Sequence, residues 1–173
     1  MENVINQNDM YLKELCMRKL PLFIVTGASG TGKTTISSLV RKQLPEFDVF
    51  DMDIIDNVDW QIAKENWLRI AYSISLSGRG TVLCGTMVPE NIASSDYIDR
   101  FDRILYMNLH CDDVTRQWDE NLIEDHKNFA SWLLQNSETA FEPPMQKIET
   151  AELTAEEVAE QIKEWVLKNW CEE

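Results

Sequence analysis

The segment "LFIVTGASGTGKTTISSLV", residues 22–40, limits the possible folds more than any other part of the chain. Five apolar residues form a continuous run, the pattern of a strand buried on both faces. A run holding three glycines follows at once, then a lysine, two threonines and a helix-patterned segment ending near Pro45. Gly27, Ala28, Ser29, Gly30, Thr31, Gly32, Lys33 and Thr34 satisfy G-x-x-x-x-G-K-[ST] at every fixed position. Small residues let backbone N–H groups wrap around phosphate oxygens. The helix that follows adds unpaired N–H groups and a favourable dipole. Lys33 is placed to reach the β- and γ-phosphates, Thr34 to ligate Mg²⁺, and Thr35 completes the binding segment. A Gly/Ser-rich turn of no function would need neither the strand before it nor the helix after it.

The rest of the chain repeats this order. Strands are expected at "FDVFDMD", "TVLCGT", "RILYMNL" and "MQKIET". Helices are expected at about 10–20, 58–77, 89–99, from "DDVTRQW", at "NFASWLLQN" and from Thr154, where Glu157 completes a capping box. Residues 119–127 read as polar and mobile. Five alternations of strand and helix predict an α/β fold, with a parallel sheet between two helical layers. No position divides the chain, so 1–173 reads as one domain, with 1–20 an N-terminal extension. In such folds ligands bind beyond the carboxyl ends of the strands.

"FDMDIID" places Asp51 and Asp53 there, two residues apart and on the same side of the second strand. A phosphoryl acceptor needs a carboxylate to orient its hydroxyl and take the proton, and Mg²⁺ needs oxygen ligands. The pair can divide those tasks, and spacing alone does not say which does which. Asp56 reads better as a helix cap.

Together, the loop GASGTGKTT, the Asp-x-Asp of "FDMDIID" and the element order resemble the small-molecule kinase branch of the phosphate-loop fold. Shikimate, gluconate, nucleoside and nucleotide kinases make up that branch, and the likeness spans the chain from residue 22 onward. The resemblance implies the strand order 2-3-1-4-5, ATP and Mg²⁺ as cofactors, and a lid at about 117–140. It assigns Asp51, with Thr34, to the metal and Asp53 to the acceptor hydroxyl. Gly85 and Thr86, after the third strand, fall where the branch holds its acceptor, although a plain strand exit would look the same. Glu149, Thr150 and Ala151 fall where the branch passes the adenine.

The lid departs from the family pattern. Related kinases carry an arginine pair there to balance transition-state charge. This chain offers Arg116, either as a phosphate clamp or as a surface residue, then only His126 and Lys127 before Met145. Arg69 and Arg79 are candidates to compensate from the acceptor side, and Arg69 is assigned to the acceptor. Trp60 is a candidate to stack on the acceptor, and Trp67 reads as packing. The third strand ends without an Asp and no Asn-Lys-x-Asp occurs, which disfavours GTPases and motor ATPases.

Charge narrows the partners. Thirty acids against 16 bases give a net charge of −14. Such a surface repels nucleic acid and anionic membranes, but not a small anion in a locally positive pocket. Cys16, Cys84, Cys111 and Cys171 lack zinc or redox spacing. No leader or apolar span shows, so a cytoplasmic protein is expected. It is expected to act as a monomer or weak homodimer with a small-molecule acceptor. The expected activity is transfer of the ATP γ-phosphate to a nucleoside, nucleotide or sugar-like hydroxyl metabolite, with a hydroxyl acceptor favoured over a phosphate. The alternative is a nucleotide-binding module with little catalysis, acting as sensor or assembly partner.

Overall fold

The computed structural model describes residues 19–55, 58–111 and 123–170. Its strands are β1 (Leu22–Thr26), β2 (Phe47–Asp51), β3 (Gly80–Cys84), β4 (Ile104–His110) and β5 (Gln146–Glu149). Its helices are α1 (Lys33–Gln43), α2 (Trp60–Ser75), α3 (Pro89–Ile92), α4 (Ile123–Asn136) and α5 (Ala155–Trp170). All pairings are parallel and the strand order is β2-β3-β1-β4-β5, as the resemblance implies.

Alternation along the strands divides the core. Phe23 and Val25 of β1 face a layer that includes Ile36 and Val40 of α1 and Val158, Ile162 and Trp165 of α5. Leu22 and Ile24 face the other layer, with Trp67 and Leu68 of α2, Ile92 of α3 and Leu133 of α4. Every residue of β1 is buried, because helices cover both faces of a central parallel strand. α5 starts on the expected capping box: Thr154 N–H donates to Glu157 Oε2 at 2.8 Å, and Glu157 N–H donates to Thr154 Oγ1 at 3.2 Å.

The expected lid resolves into two parts. Residues 112–122, which include Arg116, lie outside the described residues, as do Asp56 and the expected N-terminal helix. From Ile123 the chain is helical and packed, so its polar start at 123–127 is a helix end rather than a mobile stretch. Glu124 and Asp125 in the first turn suit a helix N-terminus. Ala130 and Leu133 are buried, and Phe129 and Trp132 pack against the same core as Phe141 and Met145. The helical period of these apolar residues joins the second half of the lid to the core. The helix expected over 89–99 is shorter, with α3 ending at Ile92 and a 3-10 turn at Ile98–Arg100. No described helix is long and apolar enough to cross a membrane.

Candidate active site

β1 delivers the chain to Gly27, and the loop turns on glycine. Gly30 and Gly32 have φ of 79° and 89°, left-handed values that side chains disfavour. At Gly27 the constraint is space: a Cβ there would sit 2.6 Å from the carbonyl oxygen of Leu109 and 2.9 Å from Thr31 Oγ1. Thr31 braces the loop by donating to the Ala28 carbonyl at 2.9 Å. Gly27 and Ala28 are buried, while Ser29 and Gly30 are exposed at the crest. The first carbonyl to accept a helical bond is that of Gly32, from Ile36 N–H at 3.0 Å. The N–H groups of Lys33, Thr34 and Thr35 in the first turn therefore have no partner within the helix.

Lys33 lies under this cradle, only 7% exposed. Its Nζ donates to the carbonyls of Gly27 and Ala28, both at 2.8 Å. Burial lowers its pKa, while the charges of Asp53 and Asp51 push it back up. Those opposing effects place the two carboxylates and the ammonium in one electrostatic unit. Thr34 and Thr35 follow in the first turn of α1 with exposed side chains.

The carboxylates differ in setting. Asp51 is buried, and its Oδ1 accepts the Asp53 N–H at 3.1 Å, closing a 3-10 turn over Met52–Ile54. Asp53 keeps an exposed face. Partial burial nevertheless holds its carboxyl above the ordinary value; Lys33 opposes this and Asp51 adds to it. Cys84, at the end of β3, has its thiol pushed up to about 12 by burial and by Asp51, so it stays protonated. A magnesium ion suits this donor set. Thr34 and Asp51 supply hard oxygens, and no cluster of three His, Cys, Asp or Glu competes among the described residues. Mg²⁺ keeps most of its water and needs few protein ligands.

The β3 exit forms the opposite wall. A Cβ on Gly85 would lie 2.6 Å from Met52 Cβ, so the missing side chain lets the 3-10 turn after β2 pack onto this exit. Thr86 Oγ1 donates to the Gly27 carbonyl at 3.4 Å, and Met87 N–H donates to Thr26 Oγ1 at 3.4 Å. Gly85 and Thr86 thus join the cradle and Asp53 in one place. Trp67 is buried as expected, and its Nε1 donates to the Met52 carbonyl at 3.3 Å. Trp60 is 39% exposed, and the Lys64 ammonium lies over its ring, 4.7 Å from the centroid. After β5, Thr150 is tied to the His110 carbonyl by its N–H at 2.7 Å and by its hydroxyl at 3.0 Å.

The two compensating arginines are not brought to this site. Arg79 precedes β3, at the amino edge of the sheet, where it pairs with Asp48 at 2.7 Å and donates to the Pro45 carbonyl at 3.3 Å. A site at the carboxyl edge is a full strand away. Arg69 is on the exposed face of α2 and donates to Asn66 Oδ1 at 2.9 Å. It stands 200° around the helix from buried Trp67, given 100° per residue.

Sequence reasoning passed over two residues. Asn108, at the end of β4 beside Thr26, is 2% exposed, and its Oδ1 has no hydrogen-bond partner among the described residues. Lys64 is also 2% exposed, although it is a lysine in the middle of α2. Its signal was its position: it falls four residues after Trp60 and three before Trp67, on the stripe that otherwise carries the apolar side chains.

No protein-family model matches the chain, and no curated protein matches it. Solved structures share its fold. A shikimate kinase from Acinetobacter baumannii in complex with shikimate is 17% identical, covering 93% of this chain and 99% of its own, with a TM-score of 0.51. A thymidylate kinase from Candida albicans is 12% identical, covering 87% and 92%, with a TM-score of 0.55. A shikimate kinase from Aquifex aeolicus is 15% identical, covering 87% and 98%, with a TM-score of 0.50.

Proposed function

With the phosphate-loop fold of the small-molecule kinases as premise, we propose that this protein transfers the γ-phosphate of ATP to a hydroxyl of a small metabolite. One observation carries the reading: Lys33, buried under the loop, shares an electrostatic unit with Asp53 and Asp51 across the end of β2. A module that only held nucleotide would need the loop, but not a carboxylate with a raised pKa facing the loop lysine.

The loop N–H groups and Lys33 bind and orient the phosphates. Asp53 holds the acceptor hydroxyl and takes its proton as the oxygen bonds to the γ-phosphorus, and the bond to the β,γ-bridging oxygen breaks to release ADP. A carboxyl held above its ordinary pKa is a stronger base. Thr34 and Asp51 would hold Mg²⁺, Asp51 directly or through water. When bound, the ion offsets phosphate charge. Gly85 and Thr86 wall the acceptor, and Trp60 flanks it. The acceptor is a small molecule rather than nucleic acid or membrane, consistent with the net charge of −14. The chain works as a monomer or weak homodimer in the cytoplasm.

Single-turnover transfer from radiolabelled ATP to pooled nucleosides, sugars and hydroxy acids tests the reading. Labelled product that disappears in Asp53→Asn is expected. ATP that raises the melting temperature without transfer to any pool would leave a nucleotide-binding module.

A further inference from the structure

Tyr106, in the middle of β4, is 5% exposed, and its hydroxyl has no hydrogen-bond partner among the described residues. A buried Tyr hydroxyl ordinarily has one. Phe141 holds the ring edge-on, with centroids 5.0 Å apart and planes at 71°. Unlike the buried Asn108 oxygen, the Tyr106 oxygen is not sealed off, so it opens on the cavity that Tyr106 lines. Burial pushes the phenol above its ordinary pKa, so the hydroxyl stays protonated and able to donate.

The cavity has a volume of about 450 Å³, within the range of about 300–1,000 Å³ for small-molecule sites. It lies at the amino end of β4, between the α3 segment and residues 140–142. Ile104 on its lining pairs with Leu22 at the start of β1, about 13 Å of strand before the phosphate loop. The cavity is therefore separate from the nucleotide and acceptor sites.

Its walls are apolar, with Ile92, Phe101 and Ala140 beside Ile104. Its rim carries two exposed carboxylates, Asp99 and Glu142, that have no ion pair or hydrogen bond among the described residues. The other rim charges largely offset one another. Asp102 lies 3.7 Å from Arg103 Nε, and Arg103 also donates to the Asn169 carbonyl at 2.8 Å. Lys19 is exposed and balances one acid. The rim thus keeps a negative excess on a chain of net charge −14, which favours a cation. A flat ring suits the floor, where aromatic side chains already meet.

We propose that this cavity is a second ligand site, and that it takes a small aromatic monoamine with a hydroxyl or carbonyl oxygen at the far end of its ring. The ammonium meets Asp99 and Glu142, the ring lies against Phe101 and Ile92, and the far oxygen accepts from Tyr106. The inference goes beyond the kinase reading and does not rest on it.

Calorimetry on the full chain without ATP tests it. The probes are para-hydroxyphenethylamine, phenethylamine and para-hydroxyphenylpropionate, which differ in the far hydroxyl and in the sign of charge. The hydroxy amine is expected to bind, the plain amine about fivefold to tenfold more weakly, the range for one neutral hydrogen bond, and the carboxylate not at all. Tyr106→Phe should bring the hydroxy amine to the level of the plain amine. It should melt no lower than wild type, because the hydroxyl it removes has no partner in the fold. Ala140→Trp, at a half-buried position on the wall, should block both amines. The double variant Asp99→Asn, Glu142→Gln should weaken both amines alike. Asp53→Asn should leave amine binding unchanged, since the acceptor site is elsewhere. Failure of every probe to bind, the result if another segment of chain fills the cavity, would overturn the proposal. So would carboxylate binding as tight as the amine, hydroxy-amine binding insensitive to Tyr106→Phe, or amine binding lost in Asp53→Asn. A kinase assay that fails for every acceptor would leave this site standing, and loss of amine binding in Tyr106→Phe with transfer intact would leave the kinase reading standing.

Discussion

The two walls of the site are built in opposite ways. The phosphate cradle satisfies itself: Lys33 donates to two carbonyls of its own loop, Thr31 braces a third contact, and the left-handed glycines set the turn. All of its parts lie within eight consecutive residues. The wall proposed for the acceptor is assembled from the end of β2, the first turns of α2 and the exit of β3, and it differs in kind: among the described residues Lys64 has no carboxylate partner, Trp60 is partly exposed, and Asp53 is above its ordinary pKa. A site for a ligand common to many proteins can be closed in on itself and local. A site for a particular acceptor needs groups that only that acceptor satisfies.

Substitutions on the two walls should therefore fail differently. The largest effect is expected from Lys33→Ala, which removes the cation proposed to meet the γ-phosphate. A loss of about 10³-fold in kcat, the upper range for deleting one transition-state donor, should appear in a steady-state ADP-release assay. Asp53→Asn should lower kcat by about 10²-fold or more, as for loss of a general base, with ATP affinity by calorimetry nearly intact. Equal turnover in this variant would remove Asp53 from the mechanism. Gly27→Ala should act through structure, because its Cβ meets backbone 2.6 Å away. A destabilisation of about 2 kcal/mol, typical of overpacking, should be seen by denaturant unfolding.

The pH dependence of kcat/KM sharpens the contrast. Asp53 must be ionised, and its pKa lies above 3.8, so activity should fall as pH drops through a value higher than that of an ordinary Asp. Lys33 must be charged, and its pKa lies below 10.5 in the free enzyme, so activity should fall again on the alkaline side. Asp53→Asn should abolish the acid limb only. The smallest effects are expected from Arg69→Ala and Arg79→Ala. One side chain is on the outer face of α2 and the other at the far edge of the sheet, so kcat and KM should match wild type.

Much of the cradle could be read from the chain because its chemistry is contiguous. Backbone conformation at Gly30 and Gly32, the lysine that follows and the helix start are neighbours in sequence, so a short pattern captures them. Asp51 and Asp53 were legible as neighbours beyond one strand, but not by strand alternation: β2 ends at Asp51, and a 3-10 turn over Met52–Ile54 carries Asp53. Nearness in sequence to the second helix says nothing about direction: Arg79 lies at the amino end of β3, paired with Asp48, and Arg69 lies on the exposed face of α2, against Asn66. Lys64 was missed although it occupies an apolar position of the same helix, because a single charged residue in an amphipathic stripe ordinarily reads as its edge. Polar composition at 119–127 hid the start of the helix at Ile123, while its later part, "NFASWLLQN", was legible from its apolar period.

Sequence alone determined the five alternations, the cradle and the carboxylate pair. Those depend on local periodicity, turn stereochemistry and residue spacing, which act over a few bonds. Tertiary structure decided which cations reach the site. That depends on the rotation of α2 about its axis and on which end of each parallel strand faces the ligand. It also left Lys64 buried against Trp60 with no anion beside it among the described residues. Burial and the absence of a partner are properties of what the fold brings near a residue, and no stretch of chain contains them.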